Sequence, residues 1–382
     1  MTEFSRADVS LSNWRTAPYS RWSFQNVSEI VPSAVISAGG GKAPQDRKPL
    51  GAFAKLDVAA SDGTRMPLEN FLTASQTDEL LVMRGGQIVA EWSAPHSDPA
   101  RPHIIFSISK SLTGLLGGIL AGKGFLTLDR PIIDYVPETA GSAYADATVQ
   151  QLFDMEISVA FIEDYLDTSG GFERYRRATG WNPDRPAAPA PDLKSFICSI
   201  AKGGQQHGEH HAYRSPNTDL AGIVLERAAG ARFASLMSDH VWKPMGASAN
   251  AMVTVDRTGT ARAAGGISAT ARDLALVGEV IRTHGAGLVE PEFVADLWSR
   301  KRRGAWESGD QRELFPQGSY RNYWYETGRG ELAAIGIHGQ WIWIHPETKT
   351  VVVKLSSQTL PVDPPLDQAI IGALRSICQA SA

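Results

Sequence analysis

Apolar positions follow a strand pattern toward both ends of the chain and a helical pattern in its middle. Residues 80–83 and 88–90 are apolar and flank the glycine turn at 84–87, which predicts a β-hairpin over 79–92. Short aromatic or β-branched runs predict strands over 323–327, 341–344 and 351–355. Because helical segments lie between these regions, we predict one antiparallel sheet assembled from both chain ends.

The middle of the chain has apolar residues at helical spacing. They recur from Leu112 to Leu120, and the glycines in this stretch indicate a buried helix against which other backbone packs closely. Further helices are predicted over 149–155, 193–201, 218–229 and 233–241, and the proline-rich segment 183–191 is typical of a loop. The expected class is therefore α+β.

These patterns divide the chain into three regions. Residues 1–76 form an irregular leader, which Trp14, Trp22 and Phe24 are expected to anchor on the body. Residues 77–105 and 250–382 form the sheet region, and residues 106–249 form a mainly helical lobe. We expect all three to make a single catalytic unit.

Composition narrows the function classes. The chain has 382 residues, 43% hydrophobic and 20% charged, and its net charge of −4 gives no electrostatic reason to expect nucleic acid. Neither a membrane-length apolar run nor a signal-peptide core is present, so we expect a cytoplasmic protein without a membrane partner. Cys198 and Cys378 are too few for a disulfide framework. Oligomeric state stays open, a homodimer included.

The first candidate for chemistry is Ser107-Ile108-Ser109-Lys110. A serine three residues before a lysine on the first helical turn places both side chains on one face. A partly desolvated lysine has a lowered pKa and can help remove the hydroxyl proton, and the Ser107 N–H can bind an oxyanion. The alternative is an N-cap serine with a surface lysine. A second copy of this spacing, Ser199 to Lys202, is interpreted as a chance match at a helix end.

Two further segments offer complementary groups. Tyr213 and Ser215 stand just before a predicted helix, where the phenol can exchange a proton with a leaving group and the serine can join the same cluster. Gly336 is expected on an edge strand that a substrate carbonyl can approach, with the Ile337 N–H as second oxyanion donor. The alternatives are a tyrosine packed ahead of a capped helix and an ordinary bulged strand.

Together these segments resemble the class C β-lactamase and penicillin-binding-protein superfamily, in which Ser-x-x-Lys, Tyr-x-Ser/Asn and Lys-Thr-Gly occur in this order. The chain is similar in particular to the 6-aminohexanoate-dimer (nylon-oligomer) hydrolases and their carboxylesterase relatives. The resemblance is found at 106–114 (FSISKSLTG), 163–167 (EDYLD), 215–219 (SPNTD) and 335–340 (IGIHGQ).

The resemblance implies a β-lactamase-like fold and a serine hydrolase that needs no metal or other cofactor. Ser107 is then the nucleophile, Lys110 activates it, and Tyr213 relays the proton to the leaving group. The N–H groups of Ser107 and Ile337 form the oxyanion hole. The residues expected at the substrate are Tyr165, Trp181, Ser215, Arg176, Gly336 and His338.

Two departures from the family pattern limit the substrate. Ala334-Ile335-Gly336 replaces Lys-Thr-Gly, so the groups that engage a β-lactam carboxylate are missing. Arg176 stands where the nylon-oligomer enzymes can carry an acidic residue, and it would repel a substrate amine.

The histidine-rich run 207–211 fits none of the usual zinc spacings.

The sequence therefore predicts an enzyme that cleaves linear amides or short-chain esters through an acyl-enzyme, with a small-molecule substrate. Two alternatives stay open. The same acyl-enzyme can pass its acyl group to an alcohol or amine, as in an acyltransferase. The scaffold can also serve as a catalytically silent binding module.

Overall fold

The computed structural model describes residues 4–40 and 46–380. Its strands are β1 Ser33–Ile36, β2 Asp57–Ala59, β3 Arg65–Pro67, β4 Thr77–Arg84, β5 Gln87–Ser93, β6 His103–Ile104, β7 Ala251–Thr254, β8 Ile267–Ala269, β9 Ser319–Arg321, β10 Trp324–Glu326, β11 Leu332–Gly336, β12 Gln340–His345 and β13 Thr350–Ser356. Its helices are α1 Ser20–Ser23, α2 Leu68–Ala74, α3 Ile108–Gly122, α4 Val149–Phe153, α5 Gly171–Ala178, α6 Leu193–Cys198, α7 Ser215–Ala229, α8 Phe233–Met237, α9 Ala271–Arg282, α10 Pro291–Leu297, α11 Arg303–Glu307 and α12 Pro364–Gln379.

The main sheet joins the two ends of the chain, as the strand pattern predicted. Its order is β5-β4-β13-β12-β11-β10-β9, and neighbouring strands are antiparallel. The early hairpin β4–β5 is thereby completed by β13 from the far end, where Leu81 stands opposite Val353. Helix α9 packs on β4, β12 and β13, and α12 packs on β13. The predicted α+β class is confirmed.

A second sheet of four short strands, in the order β1-β7-β8-β6, was not predicted. Its strands contain only two to four residues, too few for a period of two to stand out. This sheet positions the start of α3, because Ile105 donates its N–H to the carbonyl of Ile267 at 3.0 Å. The segment that contains the candidate nucleophile thus leaves β6 and enters α3.

Helix α3 is buried along almost its whole length, and its glycines are sites of close packing, as predicted. A β-carbon on Gly114 would lie 2.3 Å from the carbonyl oxygen of Asn322, in the turn between β9 and β10. A β-carbon on Gly117 would meet the ring of Phe153 at 2.3 Å. The missing side chains therefore let the helix that carries Ser107 and Lys110 lie directly against neighbouring elements.

The leader contains more regular structure than the pattern predicted, including α1, α2 and strands β1 to β3. Trp14 and Phe24 are fully buried and belong to a small apolar cluster that also contains Phe106 and Trp181. The leader thus packs on the residue that precedes the candidate nucleophile.

Several helices differ from their predicted extents. Helix α6 ends at Cys198, three residues earlier than expected, and α5 lies where the sequence showed only a basic run. The helix was not predicted because charged residues interrupt its apolar pattern, although Phe172 and Tyr175 are buried on one face of it. Among the described residues, none of the helices combines the length and the apolarity that a bilayer crossing requires.

The packing of α3 predicts that two helical glycines respond oppositely to alanine. Gly114→Ala should lower the free energy of unfolding by roughly 1–3 kcal/mol, because its β-carbon meets backbone that cannot move freely. Gly372→Ala, on the exposed side of α12 with open space around it, should raise that free energy by about 1 kcal/mol through helix propensity. Urea denaturation of the two variants and the parent protein measures both effects. A stabilising Gly114→Ala would contradict the close packing.

Candidate active site

Ser107 and Lys110 are held together at the start of α3. Ser107 is the N-cap residue, and the Nζ of Lys110 donates a hydrogen bond to its Oγ at 2.8 Å. Lys110 is 1% exposed, and burial lowers its pKa to about 7, against the opposing charges of Glu163 and Asp219. At neutral pH a large fraction of the amine is therefore unprotonated and able to accept a proton.

A second hydrogen bond fixes the Lys110 amine. Its Nζ also donates to the carbonyl oxygen of Ala264 at 2.8 Å. Asp219 on α7 holds this peptide segment, because its Oδ1 accepts the Ala264 N–H at 2.8 Å. The Oδ2 of Asp219 accepts hydrogen bonds from Arg262 at 2.6 Å and from the Tyr175 hydroxyl at 2.5 Å. A buried ion-pair network thus sets the position of the lysine.

Tyr213 lies beside this pair, just before α7. The Lys110 Nζ is 4.8 Å from the centre of its ring. Burial and the Glu163 carboxylate raise the pKa of Tyr213, and hydrogen bonds from the Ser107 and Tyr325 side chains oppose that rise. The phenol is therefore protonated at neutral pH and in hydrogen-bond contact with the serine, which suits a proton donor.

Two residues in left-handed backbone conformations flank the predicted oxyanion donors. Phe106, before Ser107, has a φ of 43°, and His338, after Ile337, has a φ of 62°. Such angles are uncommon for residues other than glycine and often occur at functional sites. Ser107 and Ile337 border the same cavity.

Strand β11 was expected at a sheet edge, but it lies between β10 and β12. The end of β11 nevertheless has an open side, because β10 pairs only with Leu332 and Ala333 while β12 pairs as far as Gly336. Ile335 and Gly336 border the cavity beside Ser107. The open edge therefore faces the candidate nucleophile.

Gly336 has a different physical role from the one predicted. A β-carbon at this position would lie 2.5 Å from the carbonyl oxygen of Ile105, two residues before Ser107. The glycine thus lets β11 approach the nucleophile segment of the protein itself. It also borders the cavity, so contact with a substrate stays a prediction.

Two cavities border Ser107, and a third space shares residues with both of them. The outer cavity, about 460 Å³, contains Ser107, Tyr213 and Tyr325 in its wall. The inner cavity, about 20 Å³, borders Ser107 but not Tyr213. A wide cleft of about 560 Å³ lies beyond it. Tyr165 borders all three spaces.

The other predicted substrate residues lie at or near the inner cavity. Tyr165 donates its hydroxyl proton to Glu163 at 2.9 Å, and so does Ser215, at 2.7 Å. Trp181 is nearly buried and donates its indole N–H to Thr254 at 3.0 Å. These three side chains are thus hydrogen bonded within the protein, and all three still border the inner cavity.

Arg176 and His338 have contrasting surroundings. Arg176, on α5, borders both the inner cavity and the wide cleft. His338 donates its Nδ1–H to the carbonyl of Gln358 at 2.6 Å and packs against Phe106 and Phe24. It borders the wide cleft but neither space that contains Ser107. Burial lowers the pKa of His338 to about 4, so the ring is neutral.

The second Ser-x-x-Lys copy has no catalytic geometry. Ser199 donates to the carbonyl of Phe196 at 2.7 Å, and Lys202 pairs with Asp146 at 2.5 Å. In the histidine-rich run, His207 accepts the Ser158 N–H and contacts Asp146. Across residues 4–40 and 46–380, no cluster of three or more His, Cys, Asp or Glu side chains suits a metal ion.

Sequence reasoning missed several residues of the site. Tyr325 hydrogen bonds to Tyr213, and Glu163 accepts hydrogen bonds from two predicted residues. Arg15 and Arg262 border the inner cavity. The segments EDYLD and SPNTD already contained Glu163 and Asp219, so a search for carboxylates near the motifs was the available signal. Arg15 lies in the leader, where no motif marks it.

The fold and this site define a serine hydrolase of the β-lactamase superfamily. The sequence profile of the family described as Beta-lactamase matches residues 71–375, and the chain belongs to that family. It is 37% identical over 357 residues to the 6-aminohexanoate-dimer hydrolase of Paenarthrobacter ureafaciens, covering 92% of this chain and 88% of that one.

Solved structures agree with the fold. A Bacillus anthracis protein provisionally assigned as a 6-aminohexanoate-dimer hydrolase has a TM-score of 0.87 at 23% identity, with 99% of this chain and 98% of that one covered. A family VIII carboxylesterase has a TM-score of 0.57 at 15% identity, covering 81% and 95%. The predicted superfamily and the similarity to 6-aminohexanoate-dimer hydrolases are confirmed.

The electrostatics of the site predict how Lys110 titrates. In protein labelled with ¹³C at the lysine ε-carbons, the Lys110 signal should titrate near pH 7, as should that of Lys354, whose pKa burial also lowers to about 7. Glu163→Gln removes a charge that raises the pKa of Lys110, so the Lys110 midpoint should move lower. Lys354 is the internal control, because Glu163 does not act on it. Lys110→Arg assigns the signal, and a midpoint near the usual lysine pKa would contradict the buried geometry.

Proposed function

We propose that the protein hydrolyses linear amides or short-chain carboxylic esters through an acyl-enzyme on Ser107. The observation that carries this proposal is the contact of the Ser107 hydroxyl with a buried lysine amine on one side and a phenol on the other. A nucleophile within reach of a base, which is itself oriented by further groups, is the general arrangement for covalent catalysis.

Acylation begins when neutral Lys110 accepts the Ser107 proton and Oγ attacks the substrate carbonyl. The oxyanion of the tetrahedral intermediate is stabilised by the N–H groups of Ser107 and Ile337. The bond to the leaving amine or alcohol then breaks, and Tyr213 donates its proton to that group. The Lys110 proton restores the phenol, so no net proton is gained or lost.

Deacylation reverses these roles with water. A water molecule enters the outer cavity after the leaving group departs, and Tyr213 with Lys110 accepts its proton. Attack on the acyl-enzyme releases the carboxylic acid and returns the proton to Ser107. Lys110 and Tyr213 act as a coupled pair in both half-reactions.

The relatives and the cavity wall support the proposed substrate class. The Paenarthrobacter relative is named for a linear amide dimer. Ile335 occupies the cavity wall where a β-lactam-binding enzyme has a hydroxyl, which disfavours β-lactams. The cytoplasmic location and a homodimer stay predictions.

Acyl transfer is a second candidate activity. The outer cavity, about 460 Å³, is next to Tyr213 and has room for an acceptor alcohol or amine as well as water. The ratio of transfer product to hydrolysis product at increasing acceptor concentration measures the balance between the two.

The nucleophile assignment is tested by Ser107→Ala against the matched variant Ser199→Ala from the second motif copy. Ser107→Ala should abolish p-nitrophenyl acetate turnover and labelling by a fluorophosphonate probe, with an unchanged circular dichroism spectrum. Ser199→Ala should retain both the turnover and the labelling, because the Ser199 hydroxyl of the parent protein is hydrogen bonded to a helix carbonyl. An unlabelled parent protein would indicate a silent binding module instead.

Tyr213→Phe should separate amides from esters. A poor amine leaving group needs the phenol proton, so anilide hydrolysis should fall roughly 10²- to 10⁴-fold, the usual range for general acid catalysis. Turnover of p-nitrophenyl acetate should fall much less, since nitrophenolate leaves without protonation. Tyr320→Phe, a neighbouring ring 6.5 Å from Tyr213 and outside the cavity wall, is the control. Equal losses on both substrates would remove Tyr213 from the relay role.

A further inference from the structure

Three arginines converge on the inner cavity beside Ser107. Arg15 comes from the leader, Arg176 from α5, and Arg262 from the segment before β8, and all three border this space. Their mutual proximity is unfavourable, because each guanidinium is charged at every physiological pH. Such an arrangement calls for a negative charge to balance it.

Two of these guanidinium groups are held by neutral partners. Arg15 donates to the carbonyl of Trp181 at 3.1 Å and to the side-chain oxygen of Asn182 at 2.5 Å. Arg176 donates to the carbonyl of Tyr165 at 2.8 Å. In the described part of the chain, neither forms an ion pair with a carboxylate. The neutral partners therefore orient both groups without forming an ion pair with them.

Arg262 adds a donor without a partner. Its Nη1 pairs with Asp219, but its Nε is buried without a hydrogen-bond acceptor among the described residues. A buried unsatisfied N–H is costly, and the side chain that carries it is 6% exposed and borders the inner cavity. Because this Nε atom is itself closed to solvent, Arg262 contributes to the inner cavity through its charge.

Among the described residues, the nearby carboxylates form an ion pair with only one of the three arginines. Asp219 pairs with Arg262, and Glu163 accepts hydrogen bonds from Tyr165 and Ser215. Glu163 and Asp167 act on Arg176 only through space. Consistent with this, burial and the charges of Arg176 and Arg262 lower the pKa of Arg15 to about 9.

The wide cleft beyond the inner cavity offers no free carboxylate among the described residues. Asp167 accepts four backbone N–H groups at the start of α5. Glu173 pairs with Arg177 and Arg185, and Asp184 also pairs with Arg177. Arg15 and Arg176 border this cleft as well as the inner cavity, so both guanidinium groups lie between the two spaces.

The position of Tyr213 orients a substrate in these spaces. If Tyr213 protonates the leaving group, that group lies in the outer cavity, whose wall contains Tyr213. The acyl group then extends from Ser107 to the other side, toward the inner cavity and its arginines. With a volume of about 20 Å³, the inner cavity has room for little more than one small polar group.

We propose that the arginines bind a carboxylate at the far end of the acyl group, so that the preferred substrates are monoamides or monoesters of short dicarboxylic acids. The orientation of the acyl group rests on the proposed function, whereas the anion site rests on the arginines alone. Hydrolysis then releases the free dicarboxylate and the amine or alcohol.

Binding of the product acids tests the anion site without turnover. Succinate, glutarate and adipate are compared by calorimetry with the monocarboxylates butyrate, valerate and hexanoate and with 6-aminohexanoate. At least one dicarboxylate should bind about tenfold or more tightly than the monocarboxylate of equal length, the usual scale of a charge-assisted hydrogen bond. The 6-aminohexanoate ion should bind no better than hexanoate.

Arg176→Gln and, separately, Arg15→Gln should each remove most of this preference. Arg174→Gln is the matched control, because it removes the same charge from the exposed side of the same helix and should retain the preference. An unchanged preference in both cavity variants would overturn the anion site. Equal binding of dicarboxylates and monocarboxylates would overturn the placement of a carboxylate at the far end of the acyl group.

Turnover separates failure of this inference from failure of the proposed function. The p-nitrophenyl monoesters of the dicarboxylic acids should have a higher kcat/KM than those of the monocarboxylic acids, and Arg176→Gln should reduce that ratio. If all esters were hydrolysed with equal kcat/KM, the serine hydrolase would be supported and the anion site contradicted. If the protein bound dicarboxylates selectively but showed no Ser107-dependent turnover, the anion site would be supported and the proposed hydrolase contradicted.

Discussion

The burial of the Lys110 amine is the constraint on which the rest of the site depends. Removing an ammonium group from water costs several kcal/mol, and the protein responds by lowering its pKa to about 7. The two hydrogen bonds to Ser107 and Ala264 determine where the amine lies. Because Asp219 holds the Ala264 peptide, its ion-pair network with Arg262 sets the position of the amine beside the candidate nucleophile.

Aromatic packing holds the backbone beside the predicted oxyanion donors. Phe106 and His338 both have unfavourable positive φ angles, and their rings pack together with centres 5.2 Å apart. Phe24 of the leader packs on both rings, at 5.0 and 5.3 Å. A strained conformation persists only where surrounding contacts determine it, and here the leader supplies those contacts. The N-terminal segment thus supports the backbone beside both predicted oxyanion donors.

The sequence predicted those features that local geometry or motif order determines. Ser107 and Lys110 meet because helical spacing requires it, and Tyr213 could be placed by its order in the family pattern. The four-stranded sheet could not be predicted, since strands as short as β6 have no visible period. Arg15 reaches the cavity only through tertiary packing of the leader, which no local pattern encodes. Gly336 was predicted to let a substrate carbonyl approach the backbone closely. In the structure, the carbonyl oxygen of Ile105 makes such an approach.

The pairing of β4 with β13 also has a consequence for biosynthesis. Strand β4 ends at Arg84, whereas its partner begins at Thr350, so the hairpin leaves the ribosome long before its second neighbour exists. Until then one side of β4, with apolar residues such as Leu81 and Val82, is an unprotected strand edge prone to association with other chains. Translation of β13 therefore closes a strand edge that the emerging hairpin leaves open.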